Sequence, residues 1–332
     1  MTADPVIRTA RPGDEPALFA LWAECFGDAP HLPALWALDP DRHRHTFLAA
    51  RDTIDAAVVY VPRALRDARG VVQRVGGIGS VATRPEARGR GLVRALLTAA
   101  VATMTAEGCA WSLLFTGTPG VYRGSGWEEF PRPWTGGELV SSPRGPGRYR
   151  VRDATPGDVP RLAALHSAYN TVRPLTSVRS AEDWRVRIPA WYGGSGGPDT
   201  WSLVAETGAG EVVGWLVARA AGAGGVQILE VAVSERGVGD LATFPERESP
   251  CPSDDLYAAL AGRARAAGRA TARILLPASA EATRAARTLL TPGTVTHGTD
   301  TSGMARPLLA PAADVRATVT APGAAHWYGD SF

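Results

Sequence analysis

The sequence predicts two α+β domains in tandem, and three observations support this prediction. The chain has 332 residues, which is long for a single hydrophobic core and suits two. Its 45% hydrophobic and 20% charged residues are typical of a globular protein. The chain also contains an internal repeat, because the 16 residues that begin at Ile7 and the 16 that begin at Val151 are identical at nine positions.

The repeat predicts the same order of elements in both halves. Each copy opens with a short strand, a Pro-Gly-Asp turn and an amphipathic helix. Alternating apolar segments, which are typical of paired strands, follow at 47–50, 56–62 and 71–83 and again at 201–206, 212–218 and 226–233. A helix and an apolar strand come next, at 92–107 and 110–115 in the first half and at 254–267 and 272–276 in the second.

These elements predict the domain boundaries. The first domain is expected over residues 1–140 and the second over 148–305. A Pro/Gly/Ser-rich stretch at 141–147 is expected to be the linker between them. Residues 306–332 remain as a C-terminal tail, in which a flexible segment rich in Ala and Pro leads to an aromatic-rich end that is expected to reach the first active site.

Composition argues against several classes of partner. The net charge is only +2, and the 35 basic residues, all of them Arg, are scattered, so the chain lacks the field that nucleic-acid binding needs. We attribute the absence of Lys to codon bias. No window approaches the roughly 18 apolar residues of a membrane span, and the N-terminus is charged. Three separated cysteines (Cys25, Cys109 and Cys251) form neither a disulfide framework nor a metal cluster. We expect a soluble, cytoplasmic protein without a metal.

An anion-binding loop is predicted in the first half. A strand that ends at Thr83 is followed by Arg88, Gly89, Arg90 and Gly91, which lead directly into a helix. Glycines let the main chain approach a ligand closely, and the unpaired N–H groups at a helix start bind phosphate. The two arginines add charge-assisted hydrogen bonds. This pattern indicates a site for a nucleotide pyrophosphate.

The loop and its flanking elements resemble those of a known superfamily. The order strand, Pro, Arg-Gly-x-Gly and helix over residues 81–97 resembles the coenzyme A loop of the GNAT superfamily of acyl-CoA N-acyltransferases. Together with the turn at 70–72 and the pair Val121-Tyr122, it is similar to the enhanced intracellular survival (Eis) branch of aminoglycoside and lysine acetyltransferases. Val93 stands where the superfamily usually has Gly or Ala, a departure that this branch shares. The resemblance implies tandem GNAT folds, each with a mixed central sheet flanked by helices.

The resemblance also implies acetyl-CoA as the cosubstrate and assigns the residues that bind it. Val81, Ala82 and Thr83 are expected to hold the pantetheine arm through their backbone groups. The residues expected around the pyrophosphate are Arg88, Gly89, Arg90, Gly91, Leu92 and Arg94.

Two catalytic residues are expected. Acetyl transfer to an amine needs a deprotonated amine, a stabilised oxyanion and a proton for the departing thiolate. Tyr122 follows the fifth strand where the resembled family keeps its catalytic tyrosine, and a phenol with a reference pKa of about 10 is protonated at neutral pH. We predict Tyr122 as general acid, with the oxyanion held by a backbone N–H of strand 79–83. The resembled branch inserts the carboxylate of its last residue into the first active site, so we predict Phe332 as base or substrate anchor.

Other carboxylates are candidates for attracting a cationic amine. They are Glu24, Asp28, Glu128 and Asp330, with Asp330 close to the terminus. Members of the resembled branch also have a third, sterol-carrier-like domain, for which the 27 residues from Arg306 to Phe332 leave no room. The sequence therefore leaves open whether this chain shares the hexameric assembly and the broad pocket of that branch, and whether it forms a homo-oligomer at all.

The second half is expected to have lost its site. Residues 236–239 keep a trace of the Arg-Gly-x-Gly loop, but Asp240 follows at once and prolines at 245, 250 and 252 delay the helix, whose start we expect at Asp254. An acidic residue and a late helix both remove an anion site. We expect the second domain to shape the acceptor pocket without binding coenzyme A.

The leading interpretation is an acetyl-CoA-dependent N-acetyltransferase that acts on a primary amine of a small molecule or peptide, such as an antibiotic or another secondary metabolite. One alternative is a tandem acetyltransferase resembling mycothiol synthase, which has no third domain. Another is a non-catalytic acetyl-CoA-binding regulator, which would keep the loop without needing Tyr122. The acceptor and the length of the acyl chain are not determined by the sequence.

Overall fold

The computed structural model describes residues 5–27, 29–141, 147–194, 200–222, 224–234, 251–275 and 280–332. The chain divides into two compact units. Unit 1 consists of Met1–Pro131, Thr301–Thr320 and Ser331–Phe332, and unit 2 consists of Arg132–Asp300 and Ala321–Asp330. Most of the expected linker and the expected trace of a loop at 236–240 lie outside the described residues.

The helices and strands follow the predicted order. In the described residues the strands are β1 (Val6–Thr9), β2 (Thr46–Ala50), β3 (Ile54–Arg66), β4 (Val72–Thr83), β5 (Trp111–Phe115), β6 (Glu128–Glu138), β7 (Arg150–Asp153), β8 (Thr200–Glu206), β9 (Val212–Ala221), β10 (Gly225–Val233), β11 (Thr271–Ile274) and β12 (Thr296–Pro307). The helices are α1 (Glu15–Phe26), α2 (Leu32–Ala37), α3 (Leu92–Ala106), α4 (Gly120–Arg123), α5 (Val159–Asn170), α6 (Ile188–Gly194), α7 (Pro252–Ala266), α8 (Ala280–Leu289) and α9 (Ala312–Val319).

The sheet of unit 1 has the order β1-β2-β3-β4-β5-β12. It is mixed, because β4 and β5 are parallel whereas the pairs β1–β2, β2–β3, β3–β4 and β5–β12 are antiparallel. Successive side chains of β2 point to opposite faces, as the alternation of a strand requires. Phe47 belongs to the core formed with α3, whereas Leu48 belongs to the core formed with α1. Helices therefore cover both faces of the sheet.

The sheet of unit 2 has the order β6-β11-β10-β9-β8-β7, with β10 and β11 parallel. Its core includes Leu162 and Leu165 of α5 and Leu256 and Leu260 of α7. Helix α7 begins at Pro252, two residues before the expected start at Asp254. Proline suits the first turn of a helix, because its missing N–H would have no partner there.

The repeated segments fold into the same corner in both units. In unit 1 the guanidinium of Arg8 donates to both carboxylate oxygens of Asp14, at 2.7 and 2.8 Å. In unit 2 Arg152 binds Asp158 at the same two distances. In each corner the aspartate also accepts the backbone N–H three residues earlier at 2.7 Å. The hydrogen bond from arginine lowers the pKa of each aspartate. These contacts explain why Arg and Asp are among the repeated residues.

The last 27 residues differ from the flexible tail that their composition suggests. Residues Gly303–Pro307 of β12 pair with β5 in unit 1. Residues 312–319 form α9, whose Val315, Thr318 and Val319 are buried. This part is therefore ordered by packing, and the expectation of flexibility was wrong for it.

Two expected absences concern membranes and metals. Within the part of the chain that the structure describes, no helix combines the length and apolar character that crossing a membrane would require. The same residues gather no group of three or more His, Cys, Asp or Glu side chains able to hold a metal ion.

Candidate active site

The candidate site lies in unit 1, where two parallel strands separate. Strands β4 and β5 pair only over Val75–Gly77 and Trp111–Leu113, although β4 continues to Thr83. Beyond Gly77 the described strands include none that pairs with this edge of β4. The backbone groups of residues 78–82 on this edge are therefore available to a ligand, whereas the Thr83 carbonyl accepts long hydrogen bonds from Cys25 and Arg88, both at 3.4 Å. We call the space between this edge and the end of β5 the β4–β5 gap.

A β-bulge shapes the β4 side of the gap. Ser80 and Val81 of β4 lie opposite a single residue of β3, between the pairs Gly79–Val59 and Ala82–Ala57. Ser80 has a φ of 48°, which an L-residue adopts at a cost in energy. Bulges redirect a strand and are frequent beside functional sites.

The last residue of the chain lies in the β4–β5 gap. A Cβ atom placed on Gly79 would lie 2.7 Å from the carboxyl carbon of Phe332, and one placed on Gly77 would overlap the Phe332 ring. On the other side, the ring is nearly parallel to that of Phe115 at the end of β5, with centroids 6.4 Å apart and an interplanar angle of 15°. The structure thus puts the terminal carboxyl group beside Gly79, next to the bulge.

The loop after β4 has the backbone geometry of an anion site. Gly89 and Gly91 both have a φ of 75°, in the left-handed region that glycine adopts most readily. Gly91 is the N-cap residue of α3, and no side-chain oxygen caps this end of the helix. No side-chain cap therefore pairs with the first N–H groups of α3, a helix of 15 residues. These groups lie at the positive end of the helix dipole. A phosphate fits these donors.

The arginines of the loop differ in their pairing. Among the residues that the structure describes, no carboxylate lies within 4.0 Å of the guanidinium of Arg88 or of Arg94. Arg90, in contrast, pairs with Asp55 at 3.5 Å. Arg88 and Arg94 are exposed and so remain available to a diphosphate.

Tyr122 is the third residue of α4, which follows β5. Its side chain is buried, with 7% exposed, and its ring meets that of Trp127 edge-on at 6.5 Å. Burial raises the pKa of the Tyr122 phenol above its ordinary value, and a side-chain hydrogen bond with Thr116 opposes this shift in part. Since the net shift is upward, the phenol is protonated at neutral pH and is able to donate a proton.

Tyr122 and Phe332 are brought to the same end of β5. Phe115 ends β5 and its ring is nearly parallel to that of Phe332, and α4, which carries Tyr122, begins five residues after Phe115, at Gly120. The two residues that the sequence singled out for catalysis thus both neighbour the end of β5, although Tyr122 belongs to the core that packs on α3 and Phe332 contacts the other face of β4.

The other predicted carboxylates have different surroundings. Glu24 forms an ion pair with Arg84 in unit 1. Glu128 is an exposed surface residue that pairs with Arg316 at 3.3 Å. Asp330 is buried in unit 2. Its carboxylate accepts hydrogen bonds from Arg179 at 2.8 and 3.2 Å. Asp28 lies outside the described residues.

Two residues of the gap, Gly77 and Phe115, were missed from the sequence, and Gly79 was expected only as part of the strand that supplies the oxyanion N–H. A signal was present, since three glycines within the four residues 76–79 are unusual in the interior of a strand. Their meaning depends on a contact with the end of the chain, which no local pattern shows.

Comparison with known proteins identifies a family domain within unit 1. Residues 6–130 match the family model described as an acetyltransferase (GNAT) domain. A probable N-acyltransferase of unknown function from Enterococcus faecalis V583 is 16% identical, with a TM-score of 0.69 over 93% of this chain and 73% of that chain. A GCN5-related N-acetyltransferase from Kribbella flavida is 18% identical, with a TM-score of 0.65 over 93% and 73%. Eis1 from Mycobacterium abscessus is 13% identical, with a TM-score of 0.60 over 92% and 74%. No curated protein matches the chain.

These findings confirm the predicted fold class. The chain has the GNAT-like acyltransferase fold, with mixed sheets flanked by helices, and it is an acyltransferase. Proteins with this domain generally take their acyl group from an acyl-CoA and transfer it to an amine.

Proposed function

We propose that the protein is an Eis-like N-acetyltransferase that uses acetyl-CoA at unit 1 and acetylates a primary amine of a small molecule or peptide, such as an antibiotic or another secondary metabolite. The observation that supports this most directly is the terminal residue Phe332 in the β4–β5 gap. Its carboxyl group lies beside Gly79 of β4, and its ring lies against Phe115 of β5, the strand that precedes the Tyr122 helix.

The proposal assigns acetyl-CoA to the edge of β4 and the loop that follows. The pantetheine arm would bind along the free backbone edge at Val81, Ala82 and Thr83, as an added strand does. The pyrophosphate would bind the uncapped N–H groups of α3 with Arg88 and Arg94. The thioester would then lie beside the bulge, between Tyr122, the proposed general acid, and Phe332, whose carboxylate is the proposed base.

In the proposed reaction both Tyr122 and Phe332 transfer a proton. The amine nitrogen attacks the thioester carbonyl and forms the C–N bond, while a backbone N–H of the 79–83 edge donates to the developing oxyanion. The C–S bond then breaks, and the thiolate takes the phenolic proton of Tyr122. The proton lost by the amine goes to the Phe332 carboxylate, whose negative charge also attracts the cationic form of the acceptor. Both groups return to their starting states by exchange with solvent.

In the proposal, unit 2 has no acetyl-CoA site and acts as a scaffold. Its parallel pair β10–β11 ends at Ile228 and Ile274, beyond which Glu230 is fully buried. Arg179 binds Glu230 at 3.0 and 2.8 Å and also binds Asp330, so residues of the chain itself occupy this end of β10. This arrangement supports a scaffold role, because it leaves buried charges where an acyl arm would need apolar space.

The first test is a screen for the acceptor. Release of free thiol from acetyl-CoA is measured with aminoglycosides, polyamines, amino acids and peptides, and acetylated products are identified by mass spectrometry. The proposal predicts turnover with at least one amine class. Turnover only with an amino sugar conjugate would favour the alternative that resembles mycothiol synthase. Binding of acetyl-CoA without turnover on any amine would contradict the proposal and favour a regulator.

The second test addresses the terminal carboxylate. Deleting Ser331 and Phe332 should lower kcat/KM by about 10²-fold, the lower range for a catalytic base. A matched variant with one Gly added after Phe332 keeps the ring and moves the carboxylate by one residue, so it should lose a similar factor. Full activity in both variants would exclude a role for this carboxylate.

A further inference from the structure

The β4 strand contains Gly76, Gly77 and Gly79, although glycine weakens the interior of a strand. Neither Gly77 nor Gly79 has a positive φ, so the backbone conformation at these positions does not require glycine. The reason for glycine must therefore lie in the space that a side chain would occupy.

The glycines of β4 serve two different faces of the sheet. Successive residues of a strand point to opposite faces, so Gly77 and Gly79 share one face and Gly76 belongs to the other. A Cβ on Gly76 would overlap the sulfur of Met104 in the core of unit 1. On the other face, the three nearest atoms to a Cβ on Gly77, and likewise on Gly79, all belong to Phe332.

The contacts at the two positions involve different parts of the terminal residue. At Gly77 they are the ring carbons Cγ, Cδ1 and Cε1 of Phe332, and at Gly79 they are its carboxyl carbon, its oxygen and its Cβ. The ring lies between Gly77 and Phe115, to which it is nearly parallel. Gly77, Gly79 and Phe115 thus form a complementary surface for one Phe residue with a free carboxyl end. We call these three residues the terminal-Phe seat.

We propose that Gly77 and Gly79 are positioning residues that hold the Phe332 carboxylate at the bulge of β4. A chain end is mobile unless it is tied down, and a mobile carboxylate is rarely in the geometry needed to act on an amine. The absence of a side chain at 77 admits the ring, and its absence at 79 lets the carboxyl group approach the strand. The inference rests on the proposed function, in which this carboxylate acts on the acceptor.

The first experiment needs no enzymatic activity. Carboxypeptidase A removes a C-terminal Phe only when the chain end leaves its seat, so the rate of Phe release from the full-length protein measures occupancy of the seat. Gly77→Ala and Gly79→Ala should each release Phe about tenfold faster or more than the wild type. Gly13→Ala is the matched control, since a Cβ there meets no atom within 4 Å, and it should release Phe at the wild-type rate. Equal release from all four proteins would overturn the proposal.

The second experiment is a double-mutant cycle on kcat/KM. Gly77→Ala should cause a loss close to that of deleting the terminal residue. In a Phe332→Ala background, which keeps the carboxylate and removes the ring, the same change should cost less than about twofold. An equal loss in both backgrounds would show that Gly77 serves another purpose, such as the approach of coenzyme A, and would overturn the seat. Gly76→Ala should lower the Tm in both backgrounds, because its clash is with Met104.

A third variant tests the terminal-Phe seat by changing the residue that occupies it instead of the strand. Phe332→Trp enlarges the ring instead of the strand, so it remains informative where an alanine in β4 prevents folding. Relative to free peptides with the same ends, Trp should be released from the protein about tenfold faster or more than Phe. Equal protection of Trp and Phe would contradict a fitted seat. Failure of the acceptor screen together with protected Phe332 would refute the proposed function and leave the seat intact.

Discussion

The buried ion cluster of unit 2 gives a stability prediction that follows directly from its geometry. Arg179 is 2% exposed and donates to two buried carboxylates, those of Glu230 and Asp330. Burial raises the pKa of Glu230, which also accepts a hydrogen bond from Tyr192. Burial would raise the pKa of Asp330 too, but the charge of Arg179 outweighs it and holds this pKa below its ordinary value. The perturbation is Arg179→Met, which keeps a long side chain and removes the shared cation.

Removing one partner of a buried ion pair costs about 3–5 kcal/mol, because it leaves an uncompensated charge in the interior. In a domain of about 150–250 residues, each kcal/mol lowers the Tm by about 2–4 °C. Unit 2 falls in this size range. We therefore expect Arg179→Met to lower the Tm of unit 2 by about 6–20 °C at neutral pH.

The loss should shrink as the pH falls. Without Arg179, burial raises the pKa of both carboxylates above that in the unfolded chain, so protonation stabilises the folded variant. The same carboxylates also face His166, which lies 3.4 Å from Glu230, and His326, whose charge lowers the pKa of Asp330. The difference in Tm between variant and wild type is thus largest at neutral pH and smaller near pH 5.

Differential scanning calorimetry across this pH range measures the effect. Arg185→Met is the control, because Arg185 forms an exposed ion pair with Glu182 at 2.6 Å, and such pairs contribute only about 0.2–1 kcal/mol. An Arg179→Met shift no larger than that of the control, or one that grows on acidification, would refute the reasoning. A raised KM in Asp330→Asn at unchanged Tm would instead support Asp330 as a substrate anchor.

Two further predictions concern the loop and the repeated corner. Arg88→Ala and Arg94→Ala should each weaken coenzyme A binding about tenfold or more by calorimetry, because a hydrogen bond to a charged group contributes about 1.5–3 kcal/mol. Arg90→Ala should weaken it less, since Arg90 already pairs with Asp55, and the reverse order would contradict the assignment. Asp158 has a pKa lowered chiefly by a hydrogen bond from arginine, so its stabilisation is present above the unfolded pKa of about 3.9 and is lost as the pH falls below it. The difference in Tm between wild type and Asp158→Asn should therefore be full at pH 6 and decline below about pH 4, and a constant difference would exclude this origin.

Local and repeated patterns predicted much of the fold. The strand before the loop ends at Thr83 and the helix after it begins at Leu92, as expected, because turn residues and apolar spacing act over a few positions. The corner at Pro12 and its copy at Pro156 were visible as a repeat. The pairing of residues within each corner follows, since both partners lie within six positions of each other.

Contacts between distant parts of the chain were not predictable in this way. Arg179 meets Glu230 and Asp330 at sequence separations of 51 and 151, and no local pattern connects them. The glycine at 77 is explained only by Phe332. Helix α9 was expected to be part of a flexible tail because Ala and Pro dominate its surroundings, and it is the burial of its apolar residues in unit 1 that orders it.

The most direct test of the central claim, acetyl transfer in unit 1 with Tyr122 as the acid, is the kcat of Tyr122→Phe at saturating acetyl-CoA and acceptor. The variant removes one hydroxyl and keeps the buried ring, so the Kd for coenzyme A and the Tm should stay close to those of the wild type. Its kcat should fall by about 10²–10⁴-fold, the range for loss of a general acid. A Tyr122→Phe enzyme that keeps the kcat of the wild type would contradict the account.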